Sequence, residues 1–258
     1  MAKYKAERSG RTAAEPTSLW NGMRVAITGG TSGLGKALAV ALHDSGAKVA
    51  FVARSQARVQ DLVRNVPALH GIVGDVSSKD DIYPIAIQLV GALGGVDVLI
   101  NNASALGPIP LVPLADTTCE HLEIALQTNL LGPFRLTKAM LGSLAASARE
   151  GRHAAVLNIS SDAAINAYPN WGAYGASKAA LHLLSQIWDQ ELSLQGVRVL
   201  SLDPGDMDTP LHELAVPDAD RSTLKSPESA AREVLATLQN LLLEAKGDPH
   251  PEKQEALQ

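Results

Sequence analysis

The strongest constraint on how this chain folds is an alternation. Six short apolar segments, MRVAIT (23–28), AKVAFVA (47–53), ALHGIVG (68–74), VDVLIN (96–101), AAVLNIS (154–160) and VRVLSLD (197–203), are separated by runs with helical spacing. Each segment is almost continuously apolar, as a strand buried on both faces should be. The helical runs cover 33–45, 55–65, 78–92, 117–147, 173–194 and 227–245. Strand–helix alternation of this kind predicts an α/β chain: a six-stranded parallel sheet between two helical layers, doubly wound by right-handed crossovers. No internal repeat or low-complexity segment interrupts it. Such a sheet places ligands at the carboxyl ends of its strands.

Composition supports one sizeable core. Hydrophobic residues make up 46% of the 258 and aromatics only 3%, so Ala, Val, Leu and Ile must build it. A net charge of -5 gives no basic footprint for nucleic acid. No apolar run approaches the ~18 residues of a membrane span. Residues 1–20 lack a secretory apolar core, and Glu7 and Glu15 count against a transit peptide. We expect solvated tails at 1–20 and 246–258, one domain at 21–245, and a cytoplasmic setting. The single cysteine, Cys119, excludes an intramolecular disulfide and is expected as a small buried residue. None of the seven histidines has metal-ligand spacing, so metal-free chemistry is expected.

The first strand runs into TGGTSGLG. One parsing is a triphosphate loop, with Gly30, four residues, Gly35 and Lys36. It fails at Ala37, where a hydroxyl is needed to hold magnesium. The other parsing is a dinucleotide turn. Gly29 turns the chain, Gly33 admits a pyrophosphate, and Gly35 lets helix and strand pack closely. Thr31, Ser32 and Leu34 belong to the same cradle, at the positive end of the following helix. About twenty residues on, FVARSQAR has Ala53 where an acid would hold a free ribose hydroxyl. Arg54 and Ser55 follow, which favours NADP(H) over NAD(H).

Ser161 closes the fifth strand segment, and YGASK places Tyr174 and Lys178 four residues apart on one helix face. A neighbouring ammonium stabilises a phenolate, which would make Tyr174 an acid/base near neutral pH. Ser161 can donate to an oxygen that becomes negative during hydride transfer.

Taken with Asp75-Val76, NNAS, Asn129 in NLLGPF and DPGDMDT, these motifs make residues 22–210 resemble the short-chain dehydrogenase/reductase family, in its single-domain branch with a Rossmann fold. The resemblance implies an oxidoreductase working on a small or moderately apolar carbonyl or secondary alcohol. Tyr174 would be the acid/base. Lys178 would hold the nicotinamide ribose and depress the tyrosine pKa, and Ser161 would orient the carbonyl. Asn129 would keep a water linking Lys178 to a proton relay. Asp75 and Val76 would hold the adenine, with Asn102 and Ala103 on the adenosine ribose side. Pro204, Gly205, Met207 and Thr209 would border the nicotinamide.

Two features depart from the family. Ser104 stands where NNAS commonly has glycine, a change expected to be tolerated. Nothing after residue 245 resembles the family's last strand, so a homodimer through 117–147 and 173–194 is expected instead of a tetramer. Leu181, Leu184, Ile187 and Trp188 suggest that the second of these helices is buried beyond one core. The substrate pocket is expected from Leu106, Tyr168, Trp171, Met207 and Leu211, under a mobile lid after Gly205. A non-catalytic dinucleotide sensor, or an epimerase or dehydratase on the same fold, are the alternatives.

Overall fold

The computed structural model describes residues 18–247. The strands are β1 (Arg24–Thr28), β2 (Lys48–Ala53), β3 (His70–Val73), β4 (Val98–Asn101), β5 (Ala154–Ile159) and β6 (Val197–Leu202). They form one sheet in the order β3-β2-β1-β4-β5-β6, parallel at every pairing. The helices are α1 (Gly33–Asp44), α2 (Gln56–Asn65), α3 (Ile82–Leu93), α4 (Cys119–Leu126), α5 (Gly132–Arg149), α6 (Gly172–Leu192), α7 (Pro210–Ala215) and α8 (Pro227–Gly247). The strand order reverses between β1 and β4, which opens a crevice at their carboxyl ends.

Alternate strand residues serve opposite cores. Val25 and Ile27 pack with α1, α2 and α8, through residues such as Leu38, Leu62 and Leu238. Ala26, Val52 and Val156 pack with α3, α5 and α6, through Leu89, Leu136 and Trp188. Both faces are covered, so neither can be polar, and this is why the segments read as apolar runs.

The opposite end of the sheet is tied by one carboxylate. Asp97 is fully buried. It accepts from Arg24 N–H at 2.8 Å, from Arg24 Nε and Nη2 at 3.1 and 2.7 Å, and from Arg152 Nε and Nη2 at 2.9 and 2.7 Å. Burial alone would push this carboxyl up. The hydrogen bonds from Arg152, Arg24 and Ser147 outweigh burial and hold it well below the usual carboxylate range. At the other margin, β6 is the last strand. Asp189 on α6 accepts from Val199 N–H at 2.8 Å and from Arg198 Nε and Nη2 at 2.9 and 3.1 Å.

Several expectations are corrected. Most of the two expected tails, 1–17 and 248–258, lies outside the described residues. Residues 18–20 belong to the fold, because Trp20 is 4% exposed and seals the core beside Met23. At the other end, α8 continues to Gly247. Cys119 is exposed at the start of α4. The single helix expected over 117–147 is α4, a π-helical segment at Gln127–Leu131 and then α5, whose first turn carries Pro133. On α6, Leu181 and Trp188 are buried in the chain's own core, and Leu184 packs against it. Trp188 stacks on Phe134 with ring centroids 5.3 Å apart. Ile187 and Leu183 remain exposed. Among the described residues no helix is long and apolar enough to cross a membrane.

Asp97→Asn leaves two guanidinium groups without their shared anion. We expect a loss of about 3 kcal/mol in a urea titration at neutral pH. Because folding lowers the carboxyl's pKa, its stabilisation is complete above the ordinary value of 3.8 and fades as pH falls below it. The variant should therefore lack that part of the acid-induced loss.

Candidate active site

The site is built where six strand ends meet. Gly29 follows β1 with φ of +71°, and Gly33 has φ of +49°, both in the region that favours glycine. A Cβ on Gly35 would collide with the Gly29 carbonyl oxygen and Asn102 Nδ2. The turn is pinned from β4. Asn102 Nδ2 donates to the Thr28 carbonyl at 3.0 Å, and Thr28 Oγ1 accepts from the N–H groups of Asn102 and Ala103, each at 3.0 Å. Ser32 caps α1 with its backbone, while its hydroxyl makes no capping bond. Free N–H groups, that hydroxyl and the helix's positive end together suit an anion. The residues present therefore fit a pyrophosphate.

A cavity of about 900 Å³ runs from this turn across the sheet. Thr31, Ser32, Gly33 and Leu34 line it at the turn, with Asn102 and Ala103 beside them. Asp75 and Val76 line the flank beyond β3. The Asp75 carboxylate accepts from Ser77 N–H at 2.9 Å and Ser77 Oγ at 2.7 Å, which fixes its direction. Gly35 is not on the wall; its place is the close helix–turn contact. Arg54 and Ser55 line the end beyond β2, and so does Arg58, one turn into α2. Ser55 Oγ accepts from Arg58 N–H at 3.4 Å as the cap of α2. Both arginines are exposed, and neither has an acidic partner among the described residues. The spacing R-x-x-x-R in FVARSQAR carried the signal for Arg58, since an N-capped helix returns a residue four on to the same face.

At the other end Ser161, Tyr174 and Lys178 line the same cavity. Tyr174 is 7% and Lys178 2% exposed. Lys178 Nζ donates to the Ile159 carbonyl at 2.7 Å and lies 5.5 Å from the Tyr174 ring centroid. Trp171 meets the same ring edge-on at 5.6 Å. Burial pushes the phenol up to about 12, and contacts with the Ser161 and Ser104 hydroxyls pull it back only in part. Burial also pushes the Lys178 ammonium down to about 8, with the Asp203 charge opposing. In this state burial is the largest influence on both groups, raising the phenol and lowering the ammonium.

Asn129 is not on the cavity wall. It is fully buried in the π-helical segment. Its Nδ2 donates to the Ala105 carbonyl and to Ser177 Oγ, both at 2.8 Å. Its Oδ1 accepts from Ala105 N–H at 2.8 Å and from Ser104 Oγ at 3.1 Å. The side chain has two donors and two acceptor sites, and all four are used. A water held by Asn129 would have to be held by its backbone. Ser104 does more than fill the glycine's place, because its hydroxyl donates to Asn129 Oδ1.

Pro204, Gly205 and Met207 line the cavity after β6, and Thr209 caps α7, accepting from His212 N–H at 3.2 Å. The stretch expected as a lid is a built element. It holds α7, a bridge between Met207 and Lys225, and an Arg221–Asp208 ion pair at 2.6 Å. Leu106, Tyr168, Trp171 and Leu211 join Met207 on the wall as expected. His212 lies there too, 4.0 Å from Asp206. Sequence reasoning missed Thr28, Arg58, Ser160 and Asp162. Ser160 is 6% exposed and its hydroxyl has no partner among the described residues.

A glycine-turn cradle sharing one cavity with Ser161 and the buried Tyr174 and Lys178 defines a dinucleotide-dependent redox site. The comparisons agree. The short chain dehydrogenase family model matches residues 23–220. L-xylulose reductase of Bos taurus is 29% identical over 201 residues, 78% of each chain. D-erythrulose reductase of Gallus gallus is 30% identical over 190 residues, 74% of this chain and 73% of that one. The crystal structure of 3-ketoacyl-(acyl-carrier-protein) reductase from Brucella melitensis complexed with NADH superposes with a TM-score of 0.78 at 26% identity, covering 85% of this chain and 91% of that one. The chain belongs to the short-chain dehydrogenase/reductase family, and its class of reaction is dehydrogenation or reduction at CH–OH and C=O groups.

Gly35→Ala should cost about 1–3 kcal/mol, because the new methyl group meets backbone that cannot yield. In the same protein, dinucleotide binding followed by fluorescence should weaken at least as much, since Gly29 shapes the cradle.

Proposed function

We propose that the protein is an NADP(H)-dependent oxidoreductase for a small or moderately apolar carbonyl or secondary alcohol. The observation that carries this reading is the buried Tyr174 hydroxyl, set beside Ser161 and Lys178 in the cavity that the glycine turn opens. A nicotinamide dinucleotide supplies or accepts the hydride when bound. In this reading the Gly29–Leu34 turn holds its pyrophosphate, Asp75 and Val76 its adenine, and Lys178 its nicotinamide ribose. Pro204, Gly205, Met207 and Thr209 border the nicotinamide. Arg54 and Arg58, cationic and unpaired, are suited to a 2′-phosphate, and no carboxylate follows β2 to hold a free hydroxyl.

Ser161 donates to the substrate oxygen and fixes the face it presents. Tyr174 then gives that oxygen its proton in reduction and takes it back in oxidation. A phenol held protonated up to about 12 is ready to donate across the neutral range. Reduction should therefore change little between pH 6 and 7, below the range in which Lys178 loses its charge. Oxidation needs the phenolate, whose fraction grows about tenfold per pH unit below the pKa, so its rate should rise with pH. Opposite slopes would contradict the assignment of Tyr174. Tyr174→Phe should keep dinucleotide affinity and lose about 10²-fold or more in turnover.

Cofactor choice is tested by fluorescence titration with NADPH and NADH. NADPH should bind more tightly. Replacing Arg54 and Arg58 together by alanine should weaken NADPH by about 10-fold or more and leave NADH unchanged. A homodimer through α4, α5 and α6 is part of the same proposal, supported by the exposed apolar side chains Ile124, Leu183 and Ile187.

A further inference from the structure

Ser161 is followed by a carboxylate that competes for its proton. Ser161 Oγ donates to Asp162 Oδ1 at 3.1 Å and accepts from Ala163 N–H at 3.2 Å. The other oxygen, Asp162 Oδ2, accepts from the Tyr168 hydroxyl at 2.7 Å. Ser161, Asp162 and Tyr168 line one wall of the cavity. Asp162 has no lysine or arginine partner among the described residues.

A serine hydroxyl carries a single proton. Given to a substrate carbonyl, it is withdrawn from Asp162 Oδ1. Asp162 is exposed, so water fills that acceptor site until a bound substrate displaces it, and hydrogen bonds to a charged group are the costly ones to lose. A plain ketone brings only a second acceptor to this place. A ketone with an O–H or N–H on the adjacent carbon brings acceptor and donor side by side. The carbonyl oxygen takes the proton of Ser161, and the neighbouring donor replaces that proton at Asp162. Both hydrogen bonds are then conserved on binding. A carboxylate next to the carbonyl would instead meet Asp162, with Asp203 and Asp206 on the same cavity wall.

We propose that Asp162 is a specificity-determining residue that selects carbonyl substrates carrying a hydrogen-bond donor, a hydroxyl or an amine, on the carbon beside the C=O. The proposal rests on the reading of Ser161 and Tyr174 given above.

The test uses the full-length protein, both nicotinamide dinucleotides and four matched ketones: 2-butanone, 1-hydroxy-2-butanone, 1-amino-2-butanone and 2-oxobutanoate. We expect kcat/KM for the hydroxyketone to exceed that for 2-butanone by about 10- to 100-fold, with 2-oxobutanoate the poorest. The aminoketone arm tells a charged donor from a neutral one, and the proposal holds when either donor-bearing ketone is preferred. Asp162→Ala should remove the preference by lowering kcat/KM for the donor-bearing ketones. It should not lower kcat/KM for 2-butanone, because Ser161 is then free to serve the carbonyl. Tyr168→Phe keeps the carboxylate and should keep the preference, which separates recognition from anchoring of the loop. A wild type without preference, a preference that survives Asp162→Ala, or one lost equally in Tyr168→Phe overturns the role of Asp162 and leaves the reductase reading standing. Absence of turnover with all four ketones and both dinucleotides overturns that reading and the selection of substrate together.

Discussion

The site depends on the four hydrogen bonds of one buried amide. Asn129 joins the loop after β4, at Ser104 and Ala105, to Ser177 on α6. Ser177 is one residue from Lys178 and three from Tyr174, so this side chain ties the loop after β4 to the helix that carries both. A buried amide cannot leave a donor or acceptor unmet without a cost of about 1–3 kcal/mol each, so the arrangement is closed as well as connected. The π-helical segment belongs to the same constraint. It holds Asn129 in the long helical stretch while α4 and α5 continue on either side. A second amide network works one layer deeper: Asn101 donates to Asn158 at 2.8 Å and Asn158 to Ser185 at 2.8 Å, tying β4, β5 and α6 together.

Charge is spread unevenly in the cavity. Arg54 and Arg58 line the end beyond β2, with Asp75 on the neighbouring flank, while Asp162, Asp203 and Asp206 line the other end together with Lys178. Between them, burial sets the protonation of Tyr174 and Lys178. Tyr174 keeps its proton because water is excluded, and Lys178, reaching the Ile159 carbonyl, is a weakened cation for the same reason.

The strands and their order were legible because a strand covered on both faces has no freedom to be polar. The glycine turn was legible because only glycine fits its angles and contacts. Tyr174, Lys178 and Ser161 could be found by spacing along one helix and one strand end. What escaped was whatever depends on contacts distant in sequence. Trp20 looks like part of a polar leader until Met23 and the core are placed beside it. Ser104 reads as a small replacement for glycine, and its link to Asn129 spans residues 104 to 129. Asp162 reads as an ordinary loop acid, and only the folded loop brings Tyr168 to it. The break in the long helix was partly visible in Gly132-Pro133, but proline in a first turn ends nothing by itself.

Asp189 has a consequence for how this molecule meets others of its kind. The terminal strand of a sheet usually offers its spare amides to any extended chain that drifts past. Here the amide of Val199 is already occupied by a carboxylate, which is also clasped by Arg198. An incoming strand would have to evict an ion pair before it formed its first ladder bond. Among the described residues β6 is thus an edge strand with one of its amides already claimed by a side chain, which makes that margin a poorer template for strand addition.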